Sequence, residues 1–163
     1  MKEHEREANI SYSTNLQQPR VLWFDLETDG LDANVIHCLV TMDEDGDIRR
    51  YNHEREGNLS EGLDMLASAD MLIGHNIISF DIAVIRSLYP YWKTDACVRD
   101  TLVCSRLAWP NLKELDYKRK GFPKELYGSH SLKAWGVRLG FEKFAFGEQE
   151  DAFTKWTPEL EEY

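Results

Sequence analysis

The segment Arg20-Val21-Leu22-Trp23-Phe24-Asp25-Leu26-Glu27-Thr28-Asp29-Gly30 runs from apolar residues into acidic ones and then into a turn signal. The run from Arg20 to Leu26 is rich in strand formers and predicts a β-strand. Residues two apart in a strand share a face, so Asp25 and Glu27 project from one side and Leu26 from the other. Burying unpaired carboxylates is costly. The segment therefore predicts either a bound divalent cation or a strand that has ended in solvent.

The residues that follow predict two more strands. Val35 to Met42 has the composition of a strand, Asp43 to Asp47 that of a hairpin turn, and Ile48 to Tyr51 that of a third strand. Together with the first segment they predict an antiparallel meander. Residues 1–18 are polar and aperiodic, and we expect them to form a flexible leader ahead of one domain over residues 19–163.

Helical and strand patterns alternate beyond the meander, which predicts an α/β fold with a mixed sheet flanked by helices. The expected elements are a helix on Leu59, Leu63 and Leu66, a strand over Met71 to Ile73, and helices over Phe80 to Leu88, from Asp100-Thr101 to Leu107, from Ser129 or Ser131 to Leu139, and from Thr157 onward.

A third carboxylate follows the short strand, in Gly74-His75-Asn76-Ile77-Ile78-Ser79-Phe80-Asp81. Loops at strand ends are where catalytic groups collect in sheet proteins. Asp81 would also suit a helix N-terminus, where a negative charge complements the dipole. On this segment alone the structural role is the stronger interpretation.

Taken together, these segments resemble the DEDD superfamily of 3′→5′ exonucleases. The segments starting at Asp25 and at Gly74 resemble its first two motifs, and Asp100-Thr101-Leu102 with Ser105-Arg106-Leu107 resembles a further stretch of these proteins. The segment Gly128-Ser-His-Ser-Leu-Lys-Ala-Trp-Gly-Val-Arg-Leu-Gly140 resembles the proofreading exonuclease domain of family A DNA polymerases from short-tailed phages. The resemblance covers residues 20 to 163.

This resemblance implies a ribonuclease-H-like fold and two-metal hydrolysis of the 3′-terminal phosphodiester of single-stranded DNA. It implies two divalent cations, Mg²⁺ or Mn²⁺, held by Asp25, Glu27 and Asp81. The contacts it implies with the 3′ end of the DNA strand come from Thr28, Leu31, His75, Asn76 and Phe80.

The third motif of the superfamily is present in part. Its beginning resembles Pro158 to Tyr163, which makes Tyr163 the implied catalytic, water-orienting tyrosine, and the fourth carboxylate would fall four positions beyond it. We therefore expect a domain that is incomplete at its C-terminus and impaired as a fragment. A polymerase domain is the expected partner, in the same protein or in a second chain.

Composition and charge limit the other possibilities. The net charge is −10, which argues against a generally basic nucleic-acid-binding surface, although residues 111–143 carry eight basic against four acidic side chains. The apolar runs are too short to span a membrane and the N-terminus does not resemble a signal peptide, so we expect a cytoplasmic protein of a phage or prophage. Cys38, Cys97 and Cys104 are interpreted as buried free thiols.

Two alternatives to a DNA exonuclease stay open at this stage. One is an RNA-trimming member of the same superfamily. The other is a catalytically inactive, truncated or split polymerase fragment that acts as a binding or structural module.

Overall fold

The structure is a computed structural model that describes residues 18–52 and 58–141. Strands and helices alternate after an initial run of three strands. In chain order the elements are β1 (Val21–Thr28), β2 (Ile36–Met42), β3 (Ile48–Asn52), α1 (Asn58–Ala67), β4 (Met71–Gly74), α2 (Asp81–Leu88), β5 (Cys97–Asp100), α3 (Thr101–Ala108), α4 (Leu112–Tyr117), a 3₁₀ turn (Lys124–Leu126) and α5 (Leu132–Leu139).

The strands form one mixed sheet in the order β3-β2-β1-β4-β5. β1 pairs antiparallel with β2, and β2 with β3, which confirms the predicted meander. On its other side β1 pairs parallel with β4, and β4 pairs parallel with β5. The predicted mixed α/β architecture is therefore confirmed.

The core lies where one face of β1 meets the helices. Burial along β1 alternates, with Leu22, Phe24 and Leu26 buried and Asp25 exposed. Buried side chains of α1 and α2, including Leu66 and Ile85, complete this cluster. The apolar face of β1 thus fixes which of its residues project away from the core.

Besides the short 3₁₀ turn, two elements were not predicted from the sequence. β5 has only four residues with no apolar alternation, and its regular structure comes from its parallel pairing with β4. α4 has six residues, and Asp116 on it accepts hydrogen bonds from Arg138 of α5 at 2.9 Å (Nε to Oδ1) and 2.6 Å (Nη2 to Oδ2). Both side chains of this ion pair are buried, so tertiary contacts rather than local pattern stabilise α4.

Predicted helix boundaries are confirmed where capping chemistry is local. Asp100 accepts hydrogen bonds from Leu102 N–H and Val103 N–H and caps α3. Of the two serines proposed for α5, Ser131 is the cap, and Gly140 ends the helix with φ 77°. A C-terminal glycine in this left-handed region avoids the steric cost that a β-carbon would add.

The prediction for the cysteines is wrong in part. All three are free, but Cys97 and Cys104 are exposed and only Cys38 is buried. The predicted leader (apart from Gln18), the helix from Thr157 and the third motif up to Tyr163 lie outside the described residues. Within the described ranges, no helix is long and apolar enough to cross a membrane.

Candidate active site

The carboxyl ends of three parallel strands meet at one edge of the sheet. β1 ends at Thr28, β4 at Gly74 and β5 at Asp100, and the loop from β4 to α2 starts there. In sheets of this kind, ligand sites form beyond the carboxyl ends of the strands. The first two predicted motifs and Asp100 lie at this edge.

Asp81 is the first residue of α2 and is almost completely buried, with 2% of its surface exposed. Its Oδ1 accepts a hydrogen bond of 3.0 Å from the backbone N–H of Leu26 in β1. Burial, and then the negative charge of Asp25, raise the pKa of Asp81 to about 7. A local role at the helix terminus does not account for this long-range placement beside β1.

Asp25 and Glu27 do share one side of β1, as the spacing predicts. Asp25 is exposed, Glu27 is half-buried and Leu26 between them is buried. The strand continues to Thr28, so the alternative that the strand has ended does not hold, although Asp25 faces solvent. The predicted bound cation stays a prediction. Within residues 18–52 and 58–141, no three His, Cys, Asp or Glu side chains form a ready group of metal ligands.

Gly74 allows the end of β4 to approach β1 closely. A β-carbon built at this position would lie 2.7 Å from the carbonyl oxygen of Phe24 and would collide with the side chain of Ile77. Two residues later, Asn76 has φ 66°, a left-handed conformation that asparagine tolerates better than most residues. The second motif therefore turns sharply against β1, and this turn carries the chain toward Asp81.

Asp100 holds this turn in place. Its Oδ1 accepts from Asn76 N–H at 2.9 Å and its Oδ2 from Ile78 N–H at 3.1 Å, while Oδ1 also accepts from Leu102 N–H at 2.9 Å. Burial alone would raise the pKa of Asp100, but the N–H donors of Ile78, Asn76 and Leu102 bring the pKa below its ordinary value. One ionised carboxylate thus joins the β4–α2 loop to α3.

His75 spans the gap between the loop and two other segments. Its Nδ1 lies 3.0 Å from the hydroxyl of Thr101, and its ring hydrogen-bonds to the backbone of His130. Burial lowers the pKa of His75 below its ordinary value. These contacts make His75 a bridging residue; its predicted contact with the DNA strand stays a prediction.

The remaining residues predicted to contact the DNA strand lie near this edge of the sheet and differ in solvent exposure. Thr28 is buried and its hydroxyl donates to the carbonyl of Gly30 at 2.9 Å, which shapes the turn after β1. Leu31 on that turn is 89% exposed, and Phe80 is half-buried at the start of α2. Their roles toward a substrate stay predictions. Tyr163 lies outside the described residues.

The sequence interpretation missed the link from Asp100 to the β4–α2 loop, and also a contact between Ser105 and His130. Ser105 Oγ lies 2.9 Å from His130 Nδ1. The pairs are separated by more than twenty residues, and a single sequence contains no signal for such contacts.

Comparison with known proteins shows that the chain is similar to one segment of phage DNA polymerases. It is 34% identical over 157 residues to a DNA-directed DNA polymerase of Enterobacteria phage T3 and 33% identical over 156 residues to that of Escherichia phage T7. Both matches cover 85% of this chain and 21% of the polymerase. The chain is homologous to one segment of these polymerases. It thus spans about a fifth of the length of the curated relatives that it matches.

Solved structures with a similar fold include nucleases. A structure described as the apo form of a nuclease has a TM-score of 0.58 and 22% identity, covering 88% of this chain and 63% of that one. Escherichia coli exonuclease I in complex with a dT13 oligonucleotide has a TM-score of 0.58 and 16% identity, covering 85% and 39%. No protein-family profile matches the chain. The predicted ribonuclease-H-like fold and the resemblance to the polymerase exonuclease domain are confirmed.

Proposed function

We propose that this chain is the proofreading domain of a DNA polymerase and hydrolyses the 3′-terminal phosphodiester of single-stranded DNA. The observation that carries the proposal is the pairing of buried Asp81 with Asp25 at the carboxyl end of β1. The negative charges of the two carboxylates repel each other, and Asp81 is also buried, so the arrangement is energetically costly. Such perturbed carboxylates are typical of functional sites. The homology to phage polymerases supplies the context.

Divalent cations fit this arrangement by chemistry. Asp81 resists ionisation because of burial and the charge of Asp25, and a bound cation would relieve both effects. Asp25, Glu27 and Asp81 would hold Mg²⁺ or Mn²⁺ through carboxylate oxygens. Two such ions, when bound, supply an activated water and stabilise the attacking and leaving oxygens. Because a bound cation would offset the repulsion between the two carboxylates, this repulsion would favour metal binding.

The protein's own contribution would be to position the strand. Asp81 is fixed to β1 by the N–H of Leu26, so its orientation is set before any ligand binds. The exposed side chain of Leu31 and half-buried Phe80 provide apolar surface near the site for a terminal base. Complexes of the similarly folded exonuclease I with oligonucleotides support a single-stranded DNA substrate.

The polymerase context supports a proofreading role. The relatives are named as DNA polymerases, and the chain matches a fifth of their length, which leaves room there for a synthetic domain. The expected partner is therefore a polymerase domain that delivers a frayed 3′ end to this site.

The proposal is tested by release of nucleoside monophosphates from a 3′-labelled single-stranded oligonucleotide. The chain, and the longer product if its gene continues past Tyr163, would be assayed in Mg²⁺ or Mn²⁺ and in EDTA. Asp81→Asn is the test variant and Asp95→Asn, an exposed carboxylate away from the site, is the matched control. Metal-dependent release that Asp81→Asn abolishes and Asp95→Asn keeps supports the proposal. Equal turnover of an RNA oligonucleotide would favour the RNA-trimming alternative.

A further inference from the structure

The chain from α4 to α5 forms a small packing unit beside the main core. Its buried apolar residues are Leu112, Phe122 and Ala134. Within residues 18–52 and 58–141, these three are not part of the core cluster between the sheet, α1 and α2. Residues 128–131 connect this unit to the candidate active site, so their position depends on how the α4–α5 unit is held together.

The centre of the α4–α5 unit is the buried ion pair of Asp116 and Arg138. Both side chains are almost completely buried. The Arg138 guanidinium also lies over the rings of Phe122 and Trp135, 5.1 Å and 4.9 Å from their centroids. Its Nη2 donates a further hydrogen bond of 3.4 Å to the carbonyl of Leu126. A lysine could keep the charge but not this combination of planar and forked contacts.

Stability alone is a poor explanation for this ion pair. The hydrogen bonds from Arg138 keep the pKa of Asp116 below its ordinary value, so the pair is charged although it is buried. Apolar side chains of similar volume often stabilise a fold as well as a buried ion pair does. Within the described ranges, Arg138 Nη1 is buried without a hydrogen-bond partner, which adds to the cost. What apolar side chains could not provide is a fixed hydrogen-bond acceptor.

Asp116 is the acceptor that fixes the start of residues 128–131. Its Oδ2 accepts from Gly128 N–H at 2.9 Å and from Arg138 Nη2 at 2.6 Å. Gly128 has φ 74° and lies close to α4, since a β-carbon on it would be 3.0 Å from that of Lys113. Arg138 thus orients the carboxylate that holds the glycine in this close contact.

Residues 128–131 in turn contact the second motif. His130 Nδ1 lies 2.9 Å from Ser105 Oγ, and the ring of His75 hydrogen-bonds to the backbone of His130. A displacement of Gly128 would therefore move the backbone group that orients the His75 ring. His75 belongs to the loop that leads to Asp81, so this series of contacts joins the buried ion pair to the candidate active site.

We propose that the Asp116–Arg138 pair is a positioning element for the DNA strand, which acts by fixing residues 128–131. These residues orient the ring of His75. The proposal rests on the proposed function and on the predicted contact of His75 with the strand. Because the pair is buried, it touches no substrate itself. Its loss should weaken strand binding and leave the step carried out at Asp25 and Asp81 unchanged.

The experiment compares two ways of removing the pair with a variant that only lowers stability. Arg138→Lys keeps the charge, and the double variant Asp116→Leu/Arg138→Met replaces the pair by apolar side chains. Leu59→Ala removes a buried side chain of α1 from the main core and is the control. For the longest natural form of each protein, KM and kcat are measured on a 3′-labelled single-stranded oligonucleotide in Mg²⁺. The melting temperature and the Kd for the oligonucleotide in EDTA are measured on the same samples.

Both changes to the pair are expected to raise KM and Kd roughly tenfold, as loss of a hydrogen bond to a charged group would, with kcat unchanged. The double variant is the sharper of the two. Its melting temperature should return close to that of the wild type, while KM stays raised because Gly128 N–H has lost its acceptor. Leu59→Ala should lower the melting temperature and leave KM and Kd unchanged.

Four results would overturn the proposal: wild-type KM and Kd in Arg138→Lys, their recovery in the double variant, an equal rise in Leu59→Ala, or no binding by the wild type. If the double variant does not fold, Arg138→Lys and Leu59→Ala still decide between the outcomes. A Kd in EDTA that rises only in the variants of the pair, with no metal-dependent hydrolysis by any form, would support the positioning role and contradict the proposed function alone.

Discussion

The backbone N–H of Leu26 donates a 3.0 Å hydrogen bond to Oδ1 of Asp81, across 55 residues of sequence. The bond is buried, and Leu26 lies between the two acidic residues of the first motif. The end of β1 and the start of α2 are therefore joined at the point where the carboxylates collect. This contact makes the two sequence motifs parts of one site.

The burial of Asp81 should make stability depend on pH. Its pKa of about 7 in the folded state is above the ordinary value of 3.8. Between these values the unfolded chain loses a proton that the folded chain keeps, so the free energy of unfolding falls as pH rises from about 4 to 7. Asp81→Asn keeps an acceptor for Leu26 N–H and removes this penalty. We expect it to stabilise the metal-free protein at pH 8 by up to about 4 kcal/mol.

Urea unfolding in EDTA at pH 5 and pH 8 measures this effect. The gain from Asp81→Asn should be larger at pH 8 than at pH 5, and Asp95→Asn should show no such difference. An Asp81→Asn variant that is equally destabilised at both pH values would contradict the assignment of a raised pKa.

Divalent cations should stabilise the folded chain through Asp25. A ligand that binds only the folded state raises stability by about 1.4 kcal/mol at ten times its dissociation constant. We expect Mg²⁺ or Mn²⁺ to raise the melting temperature of the wild type and to have little effect on Asp25→Asn. Glu61→Gln, on the exposed side of α1, is the control. Equal metal-induced shifts in Asp25→Asn and the wild type would place the cation elsewhere.

Asp100 should stabilise the fold more than a residue that only caps a helix would. Asp100→Ala removes the cap of α3 and the acceptor for Asn76 N–H and Ile78 N–H. We expect a loss of about 2–4 kcal/mol near pH 7. Because the folded-state pKa of Asp100 is lowered, the stabilisation is complete above its unfolded pKa and disappears as pH falls through the folded one.

Hydrogen exchange separates the two roles of Asp100. In Asp100→Ala the amides of Asn76 and Ile78 should exchange faster, together with those of Leu102 and Val103. Exchange that increases only at Leu102 and Val103 would mean that Asp100 is a helix cap and does not hold the loop.

Gly74 should not accept a side chain. Gly74→Ala would place a methyl group against Phe24 O and the side chain of Ile77. Overpacking of this kind costs typically 1–3 kcal/mol, and here it would also push β4 away from β1. A lower denaturation midpoint and weaker oligonucleotide binding are the expected results. Wild-type stability in Gly74→Ala would show that the two strands are not tightly held at this edge.

The parts of the fold that are encoded locally could be predicted. The meander follows from apolar runs and the Asp43 to Asp47 turn, in which Gly46 N–H donates to the carbonyl of Asp43. The caps at Asp100 and Ser131 follow from side chains that bond to amides two or three residues away. Such contacts depend on neighbours in sequence, so one chain contains the information they need.

The relationships that build the site are not local. β5 is too short to have a pattern of its own and depends on β4 for its hydrogen bonds. The exposure of Asp25 depends on what covers that face of the sheet, and strand spacing alone could not decide it. Arg106, on α3, lines one pocket together with His75 and His130, which come from other segments of the chain. Motif resemblance located the acidic residues, and only the folded structure relates them to one another.

The most direct test of the central claim is metal-dependent hydrolysis at a single-stranded 3′ end. A 3′-labelled DNA oligonucleotide would be incubated with the longest natural form of the protein, its Asp25→Asn variant and its Asp95→Asn control. We predict release of nucleoside monophosphates in Mg²⁺ or Mn²⁺ by the wild type and the control, and a loss of at least about a hundredfold in Asp25→Asn, as expected when a metal ligand is removed. Wild-type release that persists in EDTA, or in Asp25→Asn, would contradict the account.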